Sequence, residues 1–424
     1  MQTALPTDVP SASRPTKPVV LHLSADYPDS FRNRTTPAVQ NLVVATPCFE
    51  HVVISLKRQA DPRRTYLHRE PKAAAGRVFA YGYWGLPLGV AHFASMLIAA
   101  RRIQALLAQE GITPHIIHAH KLSFEGIIAW LLAPRLGVPY VVSLRGEAET
   151  KIVRFKPTYR PLIRRVAHEA RAIFAVSMWF VPQLRAIAPS IGQKVSPLPN
   201  LVEIARRPPQ EPASVPPPTP RFVSILDLNV YRKKGFHWLI PAFAAAARQH
   251  PDATLDVFGW SSPKTDAEIQ QLVRAAGCSD RIRFRGTCPH AQVLALLPQY
   301  TALLLPSVNE TFGMVYLEAL LAGIPVLYTR DTGIDGHLDG LDVGIGVKAG
   351  DVKAIAAGID DLARNTARWR EAVRRHADDL VARFDQDGVV TRYTGEMMAV
   401  LAQTPRGSSI GRAWNYQRPG AQVA

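Results

Sequence analysis

Short apolar runs rich in β-branched residues alternate with longer amphipathic stretches along most of the chain. PVVLHLS (18–24), HVVISL (51–56), HIIHAH (115–120), VPYVVSL (138–144) and AIFAVS (172–177) have the length and composition of strands. Residues 90–110 and 123–136 carry apolar positions at helical spacing between them. This alternation predicts βαβ units and a parallel sheet. It stops at 205–220, ARRPPQEPASVPPPTP, where seven prolines in sixteen residues exclude strand and helix interiors and predict a stiff linker. It then restarts with RFVSILDL (221–228), ATLDVFG (253–259), IRFRG (282–286), ALLLPS (302–307) and IPVLYT (324–329), and 351–403 reads as helix throughout. The expectation is an α/β protein of two Rossmann-like, doubly wound domains facing a cleft. Its parts are a leader (1–17), a first domain (18–204), the linker (205–220), a second domain (221–365), C-terminal helices that return toward the first domain (366–403) and a disordered tail (404–424).

Composition sharpens this only in places. A length of 424 residues favours two or three domains. The leader has no apolar core of the kind that marks a signal peptide. The longest apolar run, from Leu86, stops at Arg101 and is too short to span a bilayer. Cys48, Cys278 and Cys288 are too scattered for a disulfide framework or metal cluster, which fits a reduced cytoplasmic setting. The net charge of +16 is unevenly placed. Residues 1–200 hold 25 Lys+Arg against 11 Asp+Glu, a net +14, and the remainder holds 25 against 23, a net +2. Either solvated arginine or a docking surface for membrane lipid, lipid diphosphate or nucleic acid accounts for that asymmetry. KIVRFKPTYRPLIRR (151–165) mixes basic and aromatic residues as an anionic membrane surface requires, and as a solvated helix also does. No aromatic stacking platform is organised beside the charge, which argues against nucleic acid.

The chemistry concentrates in two turns that follow strands. NETFGMVYLEALLAGIPV (309–326) puts Glu310 just before a helix and Glu318 inside it. An acid in a first turn is ordinary, since it favours the positive end of the helix dipole. The rest of the pattern asks for more. A helix starting near Gly313 offers free N–H groups to an anion, and Gly313 permits close approach. Beside a bound diphosphate Glu310 would have to address something neutral, such as sugar hydroxyls, while Glu318 could accept from a ribose diol. In LNVYRKKGFHWLIPAF (228–243), Lys233, Lys234 and Gly235 stand at another strand-to-helix turn, where a lysine can reach phosphate as a point charge. HAH (118–120) ends a strand facing the cleft, without the further ligands a zinc pair needs. Asp385-Gln386-Asp387 reads as a helix N-cap.

The PSVNETFGMVYLEALLAGIPV segment resembles the E-x7-E signature of the family 4 retaining glycosyltransferases, which have the GT-B fold. The resemblance implies a nucleoside diphosphate sugar donor held by the C-terminal domain, no cofactor and no metal. It places Glu310 at the donor sugar, Thr311, Phe312, Gly313, Met314 and Val315 along the donor, and Glu318 at the ribose. Lys234 matches the phosphate lysine of the family's R-x4-K-G pattern, and Asn229 stands where that pattern has arginine, with Arg232 or Lys233 able to compensate. In SLRGEAE (143–149), Arg145 replaces a histidine often found near the sugar. SADYPDSFRNRTTPAV (24–39) takes the place of the usual Gly-Gly loop, and PLPNLVEI (197–204) echoes a PNGVD step with Leu201 and Glu203 substituted. The implied function is transfer of a sugar to a glycan or lipid-linked acceptor, metal-independently, in the cytoplasm or on the inner face of a membrane. Alternatives are a GT-B epimerase or phosphorylase, and a catalytically silent membrane- or nucleic-acid-binding scaffold.

Overall fold

The computed structural model describes residues 17–32, 36–86, 90–201, 219–308 and 310–404. Nearly all of the expected leader, linker and tail, and Asn309, lie outside the described residues.

The first sheet contains β1 (Val19–Ser24), β2 (Glu50–Gln59), β3 (Tyr66–Arg69), β4 (Arg77–Trp84), β5 (Ile116–Ala119), β6 (Tyr140–Leu144), β7 (Ile173–Ala175) and β8 (Val195–Pro197). Their order is β3-β4-β2-β1-β5-β6-β7-β8, and every pair is parallel except β3 with β4. The second sheet contains β9 (Arg221–Ile225), β10 (Thr254–Phe258), β11 (Ile282–Gly286), β12 (Ala302–Leu304), β13 (Val326–Thr329) and β14 (Gly344–Val347). Its order is β11-β10-β9-β12-β13-β14, parallel throughout. Helices cover both faces, so the central strands are apolar on both sides and buried along their length. The expectation of two doubly wound α/β domains holds.

Four strands escaped the sequence pattern. β3 lies in an arginine-rich stretch, 57–77, and is half-exposed at the sheet edge, whereas β4 is an apolar, buried run, RVFAYGYW, that is missing from the expected strands. β8 and β14 are short edge strands with few fully buried side chains. The run ALLLPS is strand only over 302–304, although Leu305 N–H still donates to Leu327 O (3.0 Å).

The last helix, Gln386–Ala402, packs on the first sheet rather than the second. Val389, Tyr393, Met397 and Leu401 join Val20, Ile116, Val141 and Phe174 in one buried cluster. Asp385 caps this helix by accepting from Gly388 N–H (2.8 Å). At the other side of the molecule the carboxyl edges of the two sheets meet. Ser177 Oγ, just past β7, donates to Thr311 O (2.6 Å), just past β12, and His337 Nε2 donates to Val176 O (2.9 Å). Ligands of doubly wound sheets bind outside these edges.

Candidate active site

On the second domain, the turn after β9 and the loop after β12 are clasped together. Gly235 caps the helix Phe236–Ala247 with φ +69°, and a Cβ there would stand 1.8 Å from Pro306 O. Only glycine lets the turn lie this close to the end of β12. Val308 N–H completes the clasp by donating to Lys233 O (2.8 Å). The result brings Lys234 to Glu310: Nζ lies 2.5 Å from Oε2, with both side chains largely shielded. Glu310 is itself fixed by the loop after β13, its N–H donating to Thr332 Oγ1 (2.6 Å) and its carbonyl accepting from Gly333 N–H (2.9 Å). The helix Met314–Leu321 starts immediately beyond Gly313, so its first-turn N–H groups open beside the ion pair.

Other residues singled out from sequence take different places. Phe312 contributes its backbone only, because its ring is buried against His337 and Phe384. Thr311 O faces the first domain, accepting from Ser177 Oγ and Trp179 Nε1 (3.4 Å). Met314 and Val315 are partly buried in the opening turn. Glu318 is not beside Glu310's carboxylate partner; its Oε1 lies 3.0 Å from Nε2 of His290, a residue the sequence did not suggest. Asn229 stitches two loops, accepting from Ser262 N–H (2.9 Å) and donating to Asp227 Oδ1 (2.9 Å). Lys233 reaches across to Glu147 of the first domain (2.8 Å), and Arg232 lies over the Tyr231 ring (5.1 Å).

Arg145 belongs to a different group, at the carboxyl edge of the first sheet. It is 5% exposed, donates to Asn200 Oδ1 (3.3 Å), and sits in the field of Asp26, Glu125 and Glu149. Asp26 pairs with Lys121 (2.8 Å); burial alone would raise its carboxyl, but Lys121 and Arg145 outweigh that and hold it low. Glu125, at the start of the helix Glu125–Leu136, accepts from Ala25 N–H (2.7 Å) through Oε1, and its buried Oε2 has no partner among the described residues. Burial pushes the Glu125 carboxyl from 4.5 up to about 7, despite Lys121. These acids carried no local motif. The only signals were that Asp26 follows a strand end and Glu125 opens a helix.

Glu125 makes stability depend on pH. Its folded pKa is raised above the unfolded value, so its contribution is fully present below about pH 4.5 and is lost as pH rises through about 7. Glu125→Gln keeps an oxygen for Ala25 N–H and cannot ionise. The variant should therefore gain about 3 kcal/mol on wild type between pH 5 and pH 9. Urea midpoints at both pH values measure this, and an unchanged difference between the two proteins would show that Glu125 does not titrate there.

Beneath this edge lies a chain of buried histidines. Register places His22 of β1 against His118 of β5 and Val53 of β2. His51 Nε2 lies 2.8 Å from Thr46 O, His51 Nδ1 3.0 Å from His22 Nε2, and His22 Nδ1 3.0 Å from His120 Nε2. Burial lowers all three pKa values, with further repulsion among the rings at His22 and His120, so the imidazoles are neutral. The Thr46 carbonyl can only accept, which assigns the proton to His51 Nε2 and, in turn, to Nε2 of His22 and of His120. His118 is held separately by Tyr393 OH (2.9 Å) and Ser143 Oγ (2.8 Å). The expectation that His118 and His120 face the cleft without a third ligand is corrected on both counts. They are buried, and His22 stands close enough to make a three-histidine group. Both nitrogens of His22 and of His118, and Nε2 of His120, are engaged in hydrogen bonds, whereas His120 Nδ1 is buried with no partner among the described residues.

Two family models match the chain: a glycosyl transferase 4-like domain over residues 35–200 and glycosyl transferases group 1 over 212–377. A glycogen synthase of Mycobacterium tuberculosis is 28% identical over 333 residues, covering 73% of this chain and 73% of that protein. The 2-deoxystreptamine N-acetyl-D-glucosaminyltransferase of Streptomyces fradiae is 29% identical over 164 residues, 39% of this chain and 38% of that protein. Among solved structures, the sucrose-phosphate synthase of Thermosynechococcus elongatus superimposes with a TM-score of 0.68 at 19% identity, covering 91% of this chain and 99% of that one. HepE of Anabaena, solved with UDP and glucose, gives 0.60 at 15% identity, covering 89% and 98%.

Proposed function

We infer the reaction from what this chain is, a glycosyltransferase with the GT-B fold, built from a glycosyl transferase 4-like half and a group 1 half. The proposed reaction moves a sugar, with retention at its anomeric carbon, from a nucleoside diphosphate sugar to the hydroxyl of a glycan or lipid-linked acceptor. The observation that carries it is the meeting of Lys234 and Glu310 at the carboxyl edge of the second sheet, beside the open helix start after Gly313.

In this reading Lys234 and the first-turn N–H groups take the diphosphate, so negative charge growing on the leaving group meets fixed positive charge and dipoles without a metal. Glu310 accepts from the donor sugar's hydroxyls and faces the positive charge that develops as the bond breaks. Glu318 exchanges His290 for the ribose diol. Asn229 and Lys233 shape the two loops around the donor, and Arg145 acts from the acceptor side. HepE's complex with UDP and glucose supports a nucleotide-sugar donor for a chain of this fold. The net +14 of residues 1–200 and the basic segment around Phe155, which is 70% exposed, support docking at an anionic lipid surface on the cytoplasmic face. Among the described residues no helix is long and apolar enough to cross a membrane.

The test is a panel of nucleotide sugars screened for thermal stabilisation. The true donor at 100 times its dissociation constant should add about 2.7 kcal/mol. With that donor, product NMR should show the donor's anomeric configuration kept, and turnover should survive EDTA. An inverted product overturns retention. Activity abolished by EDTA and restored by manganese overturns the metal-free step.

A further inference from the structure

A cavity of about 670 Å³ opens at the carboxyl edge of the first sheet, and a second of about 250 Å³ adjoins it. Arg58, Tyr83 and Phe124 line both, so they mark the junction. The chemistry changes in order along this path. The floor of the larger cavity holds the Asp26–Lys121 pair and Glu125, carboxyl groups suited to accepting from hydroxyls. Next come Lys57 and Arg58. Lys57 donates to Phe31 O (2.7 Å) and Arg58 to Leu86 O (2.9 Å). Neither makes an ion pair among the described residues. Beyond the junction the smaller cavity runs between Leu86, Val90, Phe124, Ile152 and Tyr159; Lys156 and His92 also stand at its wall, and no carboxylate lines it. Val90 stands at its lining 59% exposed.

We propose that these joined cavities are the acceptor site, and that the acceptor is a sugar linked through phosphate to a hydrocarbon chain. Hydroxyls sit on the Asp26–Glu125 floor, the phosphate lies between Lys57 and Arg58, and the hydrocarbon fills the apolar groove toward Val90. Two cations whose only partners among the described residues are backbone carbonyls are the feature a neutral glycan leaves unexplained. A fork-shaped guanidinium beside a lysine suits a phosphate, and a groove with no acid suits an alkyl chain. The assignment rests on the glycosyltransferase reading for the word acceptor, but the binding chemistry does not depend on turnover.

The test uses the full chain and titration calorimetry with four probes: inorganic phosphate, butyl phosphate, octyl phosphate and octyl glucoside. Each methylene buried in the groove contributes about fourfold in affinity. Octyl phosphate should bind at least tenfold tighter than butyl phosphate, inorganic phosphate or octyl glucoside. Arg58→Gln combined with Lys57→Gln should weaken octyl phosphate at least fivefold and leave octyl glucoside unchanged. Val90→Asp, at an exposed position, should abolish the gain from butyl to octyl. Inorganic phosphate binding as tightly as octyl phosphate would replace the lipid with a free phosphosugar and overturn the proposal. Equal binding of octyl glucoside would show the cations idle and overturn it too. Stabilisation by a nucleotide sugar, measured on the same protein, reports separately on the donor reading.

Discussion

Lys234→Ala should lower kcat by roughly a hundredfold with little change in donor KM. The lysine is proposed to meet charge that appears only as the diphosphate departs, and an interaction stronger in the transition state than in the ground state acts on kcat. Removing one such preorganised group typically costs about 3 kcal/mol. The geometry adds a complication. Lys234 also neutralises Glu310 at 2.5 Å, so its loss leaves a shielded carboxylate unpaired. Glu310→Gln separates the two effects, because the amide keeps the shape and removes the charge; it should lower kcat alone. Glu318 contacts a part of the donor that does not change during reaction, so Glu318→Ala should raise donor KM and spare kcat. His290→Ala leaves Glu318 without its present partner and should lower donor KM if the ribose competes for the same oxygen. Steady-state kinetics on these variants decides the matter. If Lys234→Ala keeps its kcat while Glu318→Ala loses it, the phosphate and ribose partners are exchanged.

Much of the fold was legible because a doubly wound sheet writes itself locally. Each central strand is a short apolar run, each crossover helix has its own period, and neither needs a distant partner to be recognised. The meeting of Lys234 and Glu310 was legible for the same reason: each sits in the turn that follows such a run, so placing both at the carboxyl edge of the second sheet needed no knowledge of register. What depended on register was not visible. His22, His51 and His120 are scattered over a hundred residues, and only the parallel pairing of β1 with β2 and β5 joins them into one hydrogen-bonded chain. Glu147 and Lys233 meet across the domains, and His290 meets Glu318 from the start of the helix His290–Leu296. Arg145 shows the limit of a motif read alone. Its position suggested the sugar, a phosphate or an acceptor carboxylate, while Asp26 and Glu125 approach it from segments that local spacing could not connect, beside Glu149 of its own segment.

Gly235→Ala should be the most damaging small substitution at the carboxyl edge of the second sheet, and its effect can be divided into two parts. The first is conformational: alanine at φ +69° costs about 1 kcal/mol. The second is steric. A Cβ would lie 1.8 Å from Pro306 O, a backbone atom that no rotamer change can move aside. Relief requires the turn to withdraw from β12, which stretches the Val308-to-Lys233 bond and carries Lys234 away from Glu310. Gly277 provides the control, since it has nearly the same φ, +68°, and nothing within 4 Å of its would-be Cβ. Gly277→Ala should lose about 1 kcal/mol and keep its activity. Gly235→Ala should lose at least about 2 kcal/mol more, a size reserved for substitutions that disturb packed backbone. Its kcat should also fall, because the turn that carries the lysine has moved. Denaturant unfolding and kinetics on the pair test both parts together. Equal losses in the two variants would mean that the clasp yields freely, and that the position of Lys234 is not set by the glycine.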